Sequence, residues 1–387
     1  MIGNKQTAAE DILIVDDNVA NLQLLAQMLS EQGFAVRAVT NGTRAITSAM
    51  TTPPNLILLD IRMPGMDGYE VCRQLKADRR TKDIPVIFIS ALDEIQDKVT
   101  AFEVGGVDFI TKPFHLEEIL ARTHAHLALR RLQAQLQEAN DKFESELRLA
   151  GQIQASCLPA RNPIREGWQF AKSLHPARET SGDFFDFIHL PHERLAVVIA
   201  DVVDKGVGAA LFMVLSLSLI RTYAQDFPDY PEQVLEEVNR RILMDSDAHQ
   251  FVTVFYGILD PKSGKLTYCN AGQLPPLHYK KTRGEINRLI ATGKPLGLFE
   301  GETWERRETF IDYGDSLVLY TDGITDVQDR MSNFFDEVRL QNVIRKYAEE
   351  NAQSLHSKIL ETVEEFIGEG EHPDDIALIT VKRNYSG

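Results

Sequence analysis

Five short, apolar, largely β-branched runs punctuate the first 110 residues: ILIV (Ile12–Val15), FAVRAV (Phe34–Val39), LILLD (Leu56–Asp60), PVIFIS (Pro85–Ser90) and VDFI (Val107–Ile110). Between them stand helix-like stretches such as NLQLLAQMLSEQG, which predicts a helix capped at its C-terminus by Gly33. A strand that is apolar on successive residues has no wet face. Such strands alternating with helices build a parallel sheet covered on both sides. Residues 10–127 are therefore expected to form a (βα)5 doubly wound domain.

The pattern changes over 128–158. Gly is absent there until Gly151, and Pro until Pro159. Apolar residues fall at Leu129, Leu132, Leu136, Ala139, Phe143, Ala150, Ile153 and Cys157, the spacing of a and d positions, with Glu146 interrupting the seam. A helical linker follows, either a coiled coil that joins two copies of the chain as a homodimer or a lone solvated helix.

Over 159–383 strand-like runs (LAVVIADV, FVTVFYGILD, KLTYCNAG, DSLVLYTDG, DIALITV) tend to follow one another, as do helix-like ones (AALFMVLSLSLIRTYAQ, PEQVLEEVNRRIL, SLHSKILETVEEFIG). That clustering predicts α+β layering, so the chain as a whole is multidomain, α/β plus α+β.

Composition excludes several functions. Net charge is −16, from 41 basic and 57 acidic residues, and no segment is basic. A duplex-DNA footprint and a polybasic membrane patch are both disfavoured, so neither nucleic acid nor a membrane is an expected partner. No run approaches the ~18 apolar residues of a membrane span. The polar start MIGNKQTAAED is unlike a secretory leader. Cys72, Cys157 and Cys269 lie too far apart for a disulfide framework or a zinc spacing and suit a reducing cytoplasm.

Chemistry gathers at strand ends. Asp16 and Asp17 follow the first run, Asp60 ends the third, Ser90 the fourth, and Lys112 follows the fifth. In an open parallel sheet that edge binds ligands. Three carboxylates there call for a hard divalent cation such as Mg²⁺. Lys112 and Ser90 could meet a phosphoryl group, with an aspartate as its acceptor. A dinucleotide site would need glycines where Asp16-Asp17-Asn18 stand.

The motifs ILIVDDN, LILLDIRMPGMDGYE, FISA and DFITKPF, in that order, resemble the receiver domain of two-component response regulators. The resemblance implies that Asp60 accepts a phosphoryl group from an upstream histidine kinase. It implies Mg²⁺ held by Asp17, Asp60 and the main-chain carbonyl of Arg62, with Asp16 assisting through water. Lys112 and Ser90 would contact the phosphoryl group, and Phe109 would be the switch aromatic.

Aspartates recur at strand ends further on: Asp183 and Asp186 in SGDFFDF, Asp201 in LAVVIADV, Asp322 in LYTDG, and Asp374 and Asp375 before IALIT. One aspartate at a strand end is ordinarily a turn former. Several, with neither His nor Cys among them, point to Mg²⁺ or Mn²⁺ ions that lower a water's pKa for attack on a phosphoester. No G-x-S-x-G elbow or HExxH motif is present. His372, beside Asp374, is expected to be a solvated loop residue.

RETSGDFFDF, IADVVDKGVGAALFM, YCNAGQLPP, PLGLF, VLYTDGITD and HPDDIAL resemble the bacterial protein phosphatase 2C-like Ser/Thr phosphatases that regulate sigma factors. LRLAGQIQASCLP resembles their helical lead-in. The resemblance implies an αββα sandwich over 159–383 and two Mn²⁺ or Mg²⁺ ions. Asp183, Asp201, Asp322 and Asp374 would be the catalytic metal ligands, with the carbonyl of Val202 as a fifth and Asp375 close behind. Asp204, Gln273 and Asp326 depart from the family's usual Gly, His and Glu.

Together these readings describe a cytoplasmic response regulator whose output dephosphorylates a protein, by resemblance an anti-sigma-factor antagonist in a partner-switching pathway. The alternative is a non-catalytic adaptor that binds a sigma factor or its regulator.

Overall fold

In the computed structural model, the residues described are 9–90, 95–245, 250–368, 370 and 372–384. The chain forms two compact units, Met1–Lys142 and Phe143–Gly387.

The first unit runs β1 (Asp11–Val15), α1 (Val19–Ser30), β2 (Ala35–Val39), α2 (Gly42–Thr51), β3 (Leu56–Asp60), α3 (Gly68–Ala77), β4 (Val86–Ser90), α4 (Ile95–Glu103), β5 (Asp108–Thr111) and α5 (Leu116–Cys157). Its sheet is parallel throughout, in the order β2-β1-β3-β4-β5. The two-residue period of a strand splits each apolar run between two cores. Ile12 and Ile14 pack with α1 and α5 residues such as Leu25 and Ile119, while Leu13 and Val15 pack with α2 and α3 residues such as Ala45 and Leu75. Asn18, Asn41 and Asp67 cap α1, α2 and α3 by accepting from backbone N–H groups. Helix α1 ends at Ser30, ahead of the expected cap. Gly33, with φ +89°, lies in the turn after it.

Helix α5 is continuous over 42 residues and begins twelve residues before the expected linker. Along it Leu129, Leu132, Leu136, Phe143 and Ile153 are each more than half exposed.

The second unit runs β6 (Trp168–His175), β7 (Phe184–His189), β8 (Leu195–Val202), α6 (Val207–Asp226), α7 (Pro231–Asp245), β9 (Val252–Leu259), β10 (Lys265–Ala271), β11 (Leu277–Lys280), β12 (Glu285–Arg288), β13 (Arg307–Phe310), β14 (Ser316–Tyr320), α8 (Asp322–Thr325), α9 (Asp336–Lys346), α10 (Ala352–Ile367) and β15 (Ile376–Arg383). Two five-stranded sheets, β13-β10-β9-β8-β7 and β12-β11-β14-β15-β6, are antiparallel at every pairing. Leu195, Val197 and Ile199 of β8 face Leu317, Leu319 and Ile379 of the opposite sheet. Ala196, Val198 and Ala200 face α6 and α7, while α9 and α10 cover Val318, Tyr320 and Leu378. The result is a four-layer αββα sandwich.

Helix α6, 20 residues long, is apolar enough by length and composition to cross a membrane, against the expectation of no such segment. Ala209, Phe212, Met213, Leu217 and Ile220 bury one of its faces in the sandwich core.

Candidate functional sites

In the first unit Asp16, Asp17 and Asp60 bring carboxylate oxygens within 4.8 Å of one another at the C-terminal edge of the sheet. Asp16 is fully buried and accepts from the Asn18 N–H at 2.8 Å and the Asn21 amide at 2.9 Å. Lys112 Nζ lies 2.9 Å from Asp16 Oδ2 and 3.2 Å from Asp60 Oδ1. Burial pushes the Asp60 carboxyl up to about 6; Lys112 opposes this, and Asp16 and Asp17 add to it. Such a trio repels itself unless a cation enters, and its all-oxygen donors fit Mg²⁺.

Ser90 ends β4, buried, and its carbonyl accepts from the Lys112 N–H at 2.8 Å. Phe109 is half-buried, with the Arg122 guanidinium 5.5 Å from its ring centroid and Phe102 edge-on at 6.3 Å. Arg62 follows two residues after Asp60, with an exposed side chain. The Lys112–Pro113 peptide is cis, which the sequence did not suggest. A Cβ on Gly68 would meet the Asp60 carbonyl at 2.3 Å, so the MDG turn has no room for a side chain there.

In the second unit the aspartates arrive from both sheets. Asp183 precedes β7 and Asp201 lies in β8; Asp322 follows β14, and Asp374 and Asp375 precede β15. They act on one another strongly. Burial and then the charge of Asp201 hold Asp183 well above the usual carboxylate range. Burial and then Asp322 push Asp201 up to about 7, and burial and then Asp374 raise Asp322. Among the described residues no trio of this second group closes to the 4.8 Å of the first.

Asp375 builds the loop beside the group. Its Oδ1 accepts from the Ala177 N–H at 2.8 Å, and its Oδ2 from the Ser181 hydroxyl and the Gly182 N–H, both at 2.8 Å. Val202 is buried, and its N–H donates to the Gly182 carbonyl at 3.4 Å. A Cβ on Gly323 would meet the Asp375 carbonyl at 1.9 Å, so the TDG turn must carry glycine there.

Asp186 does not join the group. The strand period puts it on the same face of β7 as Phe184 and Ile188, toward α6, where Arg221 Nε meets it at 2.6 Å. His372 pairs with Glu364 at 2.9 Å, against the expectation of a solvated ring. Gln273 is buried. Its N–H donates to Asn270 Oδ1 at 2.9 Å, it accepts from the Thr253 hydroxyl, and its amide approaches the Tyr320 carbonyl at 3.4 Å. Asp204 has φ +75°, and Asp326 is exposed.

Sequence reasoning passed over Thr321, Ser181, Gln154 and Lys205. Gln154 of α5 is buried and hydrogen-bonds both ways with the Ser181 main chain, donating at 2.5 Å and accepting at 3.0 Å. A lone Gln on a polar helix carries no signal of such a contact.

Residues 12–124 match the response regulator receiver domain, and residues 191–384 match the family described as stage II sporulation protein E (SpoIIE). Protein IcfG of Synechocystis sp. is 34% identical over 96% of this chain, and the match spans 58% of that longer protein. Phosphoserine phosphatase RsbU of Bacillus subtilis is 28% identical over 64% of this chain and 73% of its own length. The SiaA-PP2C domain of Pseudomonas aeruginosa shares the fold of the second unit, with a TM-score of 0.56 at 19% identity, over 63% of this chain and 98% of that one. The four-layer sandwich, the aspartates at its edge and a match over half its length place this chain in the SpoIIE family, joined to a response regulator receiver domain.

Proposed function

We propose that this chain is a cytoplasmic response regulator whose SpoIIE-family unit is a metal-dependent protein serine/threonine phosphatase. The observation that carries the reading is the arrival of Asp183, Asp201, Asp322 and Asp374 from two different sheets at one edge, each of the first three raised by burial and by its neighbours. Buried carboxylates in mutual repulsion are tolerated where cations sit among them. The proposed ligands are these four side chains and the Val202 carbonyl, with Asp375 shaping the loop behind Asp183. Bound Mn²⁺ or Mg²⁺ supplies charge neutralisation and a water of lowered pKa. The similarity to a phosphoserine phosphatase supports a phosphorylated protein substrate. The proposed substrate is an anti-sigma-factor antagonist.

Asp60 is the proposed phosphoryl acceptor from a histidine kinase, with Mg²⁺ at Asp16, Asp17, Asp60 and the Arg62 carbonyl. Lys112 and Ser90 would hold the phosphoryl oxygens and Phe109 would report their arrival. The exposed apolar residues of α5 support pairing of two copies into a homodimer, with α5 the covalent route from the receiver to the output.

Phosphate release from a phosphoserine protein in the presence of Mn²⁺ tests the central reading. Activity should vanish in EDTA and in Asp201→Asn and Asp322→Asn. Undiminished turnover in either variant would refute the ligand assignment, and no release by the native chain in any phosphorylation state would refute the phosphatase.

A further inference from the structure

Lys205 lies in the loop between β8 and α6, four residues after Asp201. Its neighbours Asp204 and Gly206 have φ of +75° and +84°. The first of these is a conformation that disfavours a residue carrying Cβ. From this loop the lysine reaches the segment that precedes β15. Its Nζ lies 2.9 Å from Asp374 Oδ2 and donates to the Pro373 carbonyl at 2.8 Å. Its charge also lowers the pKa of Asp322, against the burial that raises it. An ammonium therefore stands beside the two aspartates contributed by the second sheet.

The pair is built to exchange. The Lys205 and Asp374 side chains are 41% and 36% exposed, and ion pairs this open to water are weak. A lysine's flexible stem lets its three donors change partner without moving the loop. A divalent cation at Asp374 would repel an ammonium on the same carboxylate. A phosphomonoester arriving at the edge would offer that ammonium new acceptors.

We propose that Lys205 binds the substrate's phosphoryl oxygens and that Asp374 holds it in readiness: the ammonium pairs with Asp374 until a divalent cation takes that carboxylate, then turns to the phosphate. The proposal rests on the phosphatase reading for its substrate, but its two parts are measurable without turnover.

The full chain, Lys205→Met and Lys205→Arg are compared. Because the side chain is partly exposed, the thermal melts of all three in EDTA should coincide. Titration with Mn²⁺ alone should show one ion bound about fivefold more tightly in Lys205→Met, where no ammonium competes. At saturating Mn²⁺, inorganic phosphate should bind about tenfold more weakly to Lys205→Met and near the native strength to Lys205→Arg. An unchanged Mn²⁺ isotherm in Lys205→Met overturns the competition, and unchanged phosphate affinity overturns the phosphoryl contact. A native chain that binds Mn²⁺ yet hydrolyses no phosphoprotein defeats the phosphatase reading alone, and the two isotherms still decide the role of Lys205.

Discussion

The Thr321 hydroxyl donates a 2.6 Å hydrogen bond to Asp183 Oδ2 and accepts from the Ala377 N–H at 2.8 Å. Thr321 follows β14 and Asp183 precedes β7, so one hydroxyl fastens the two sheets where the aspartates gather. The bond also opposes the burial that raises Asp183. In Thr321→Val that opposition is lost, and Asp183 holds its proton to higher pH. Mn²⁺ affinity should fall about tenfold by calorimetry, with Thr321→Ser close to native. Native affinity in the valine variant would show that the hydroxyl plays no part in metal binding.

Asp60 sets a pH dependence on the receiver. Its folded pKa of about 6 lies above the ordinary 3.8 of a carboxylate. Below 3.8 both states are protonated. As pH rises through 6, the unfolded chain releases the proton more readily and folding stability is lost. At full ionisation the loss is about 3 kcal/mol. Urea unfolding of the metal-free protein from pH 4 to 8 should show this fall, and Asp60→Asn should flatten it while blocking labelling by acetyl phosphate. A fall as large in the variant as in the native chain, or labelling that persists, would remove Asp60 from its assigned place.

His356 acts with the opposite sign. It is buried in α10, its Nε2 2.9 Å from the Ser173 hydroxyl, and burial with nearby His175 depresses its pKa from 6.5 to about 4. Between those values the unfolded chain takes up a proton that the folded one does not. Stability of the second unit should therefore fall as pH drops from 6.5 to 4, by about 3 kcal/mol. His356→Gln keeps a polar partner for Ser173 and cannot titrate. Its unfolding curves should lose this part of the slope, and a slope equal to the native one would sink the argument.

The exposed seam of α5 predicts association. Leu132 and Leu136 are 62% and 72% exposed, so charges there cost a single chain little. Light scattering at micromolar concentration should give twice the chain mass for the native protein and the single mass for a Leu132→Asp, Leu136→Asp double variant. A native chain of single mass, with and without a phosphoryl mimic, would rule the seam out as an interface.

The parallel sheet of the first unit was legible because Ile12–Val15 and Leu56–Asp60 are apolar on both faces. The same texture in Leu195–Val202 sits in an antiparallel sheet. There the far side is covered by another sheet and the near side by helices, so an unbroken apolar run reports two covers and says nothing about strand direction. The resemblance gives Asp183 of SGDFFDF a ligand's role and leaves Asp186 without one. The strand period turns Asp186 to the α6 face of β7, away from the other aspartates, and the packing of α6 there supplies Arg221 as its partner.

By itself the sequence determined which side chains exist, their local period, and the motifs that tie the chain to its two families. Those are properties of neighbouring residues, and short-range sterics and burial write them directly into the order of the chain. Tertiary structure alone decided that Thr321 meets Asp183, that Asp375 orders the loop from Ala177 to Gly182, and that Lys205 reaches Asp374. Each joins segments more than a hundred residues apart, and such contacts arise from the closing of two sheets face to face, which no local pattern encodes.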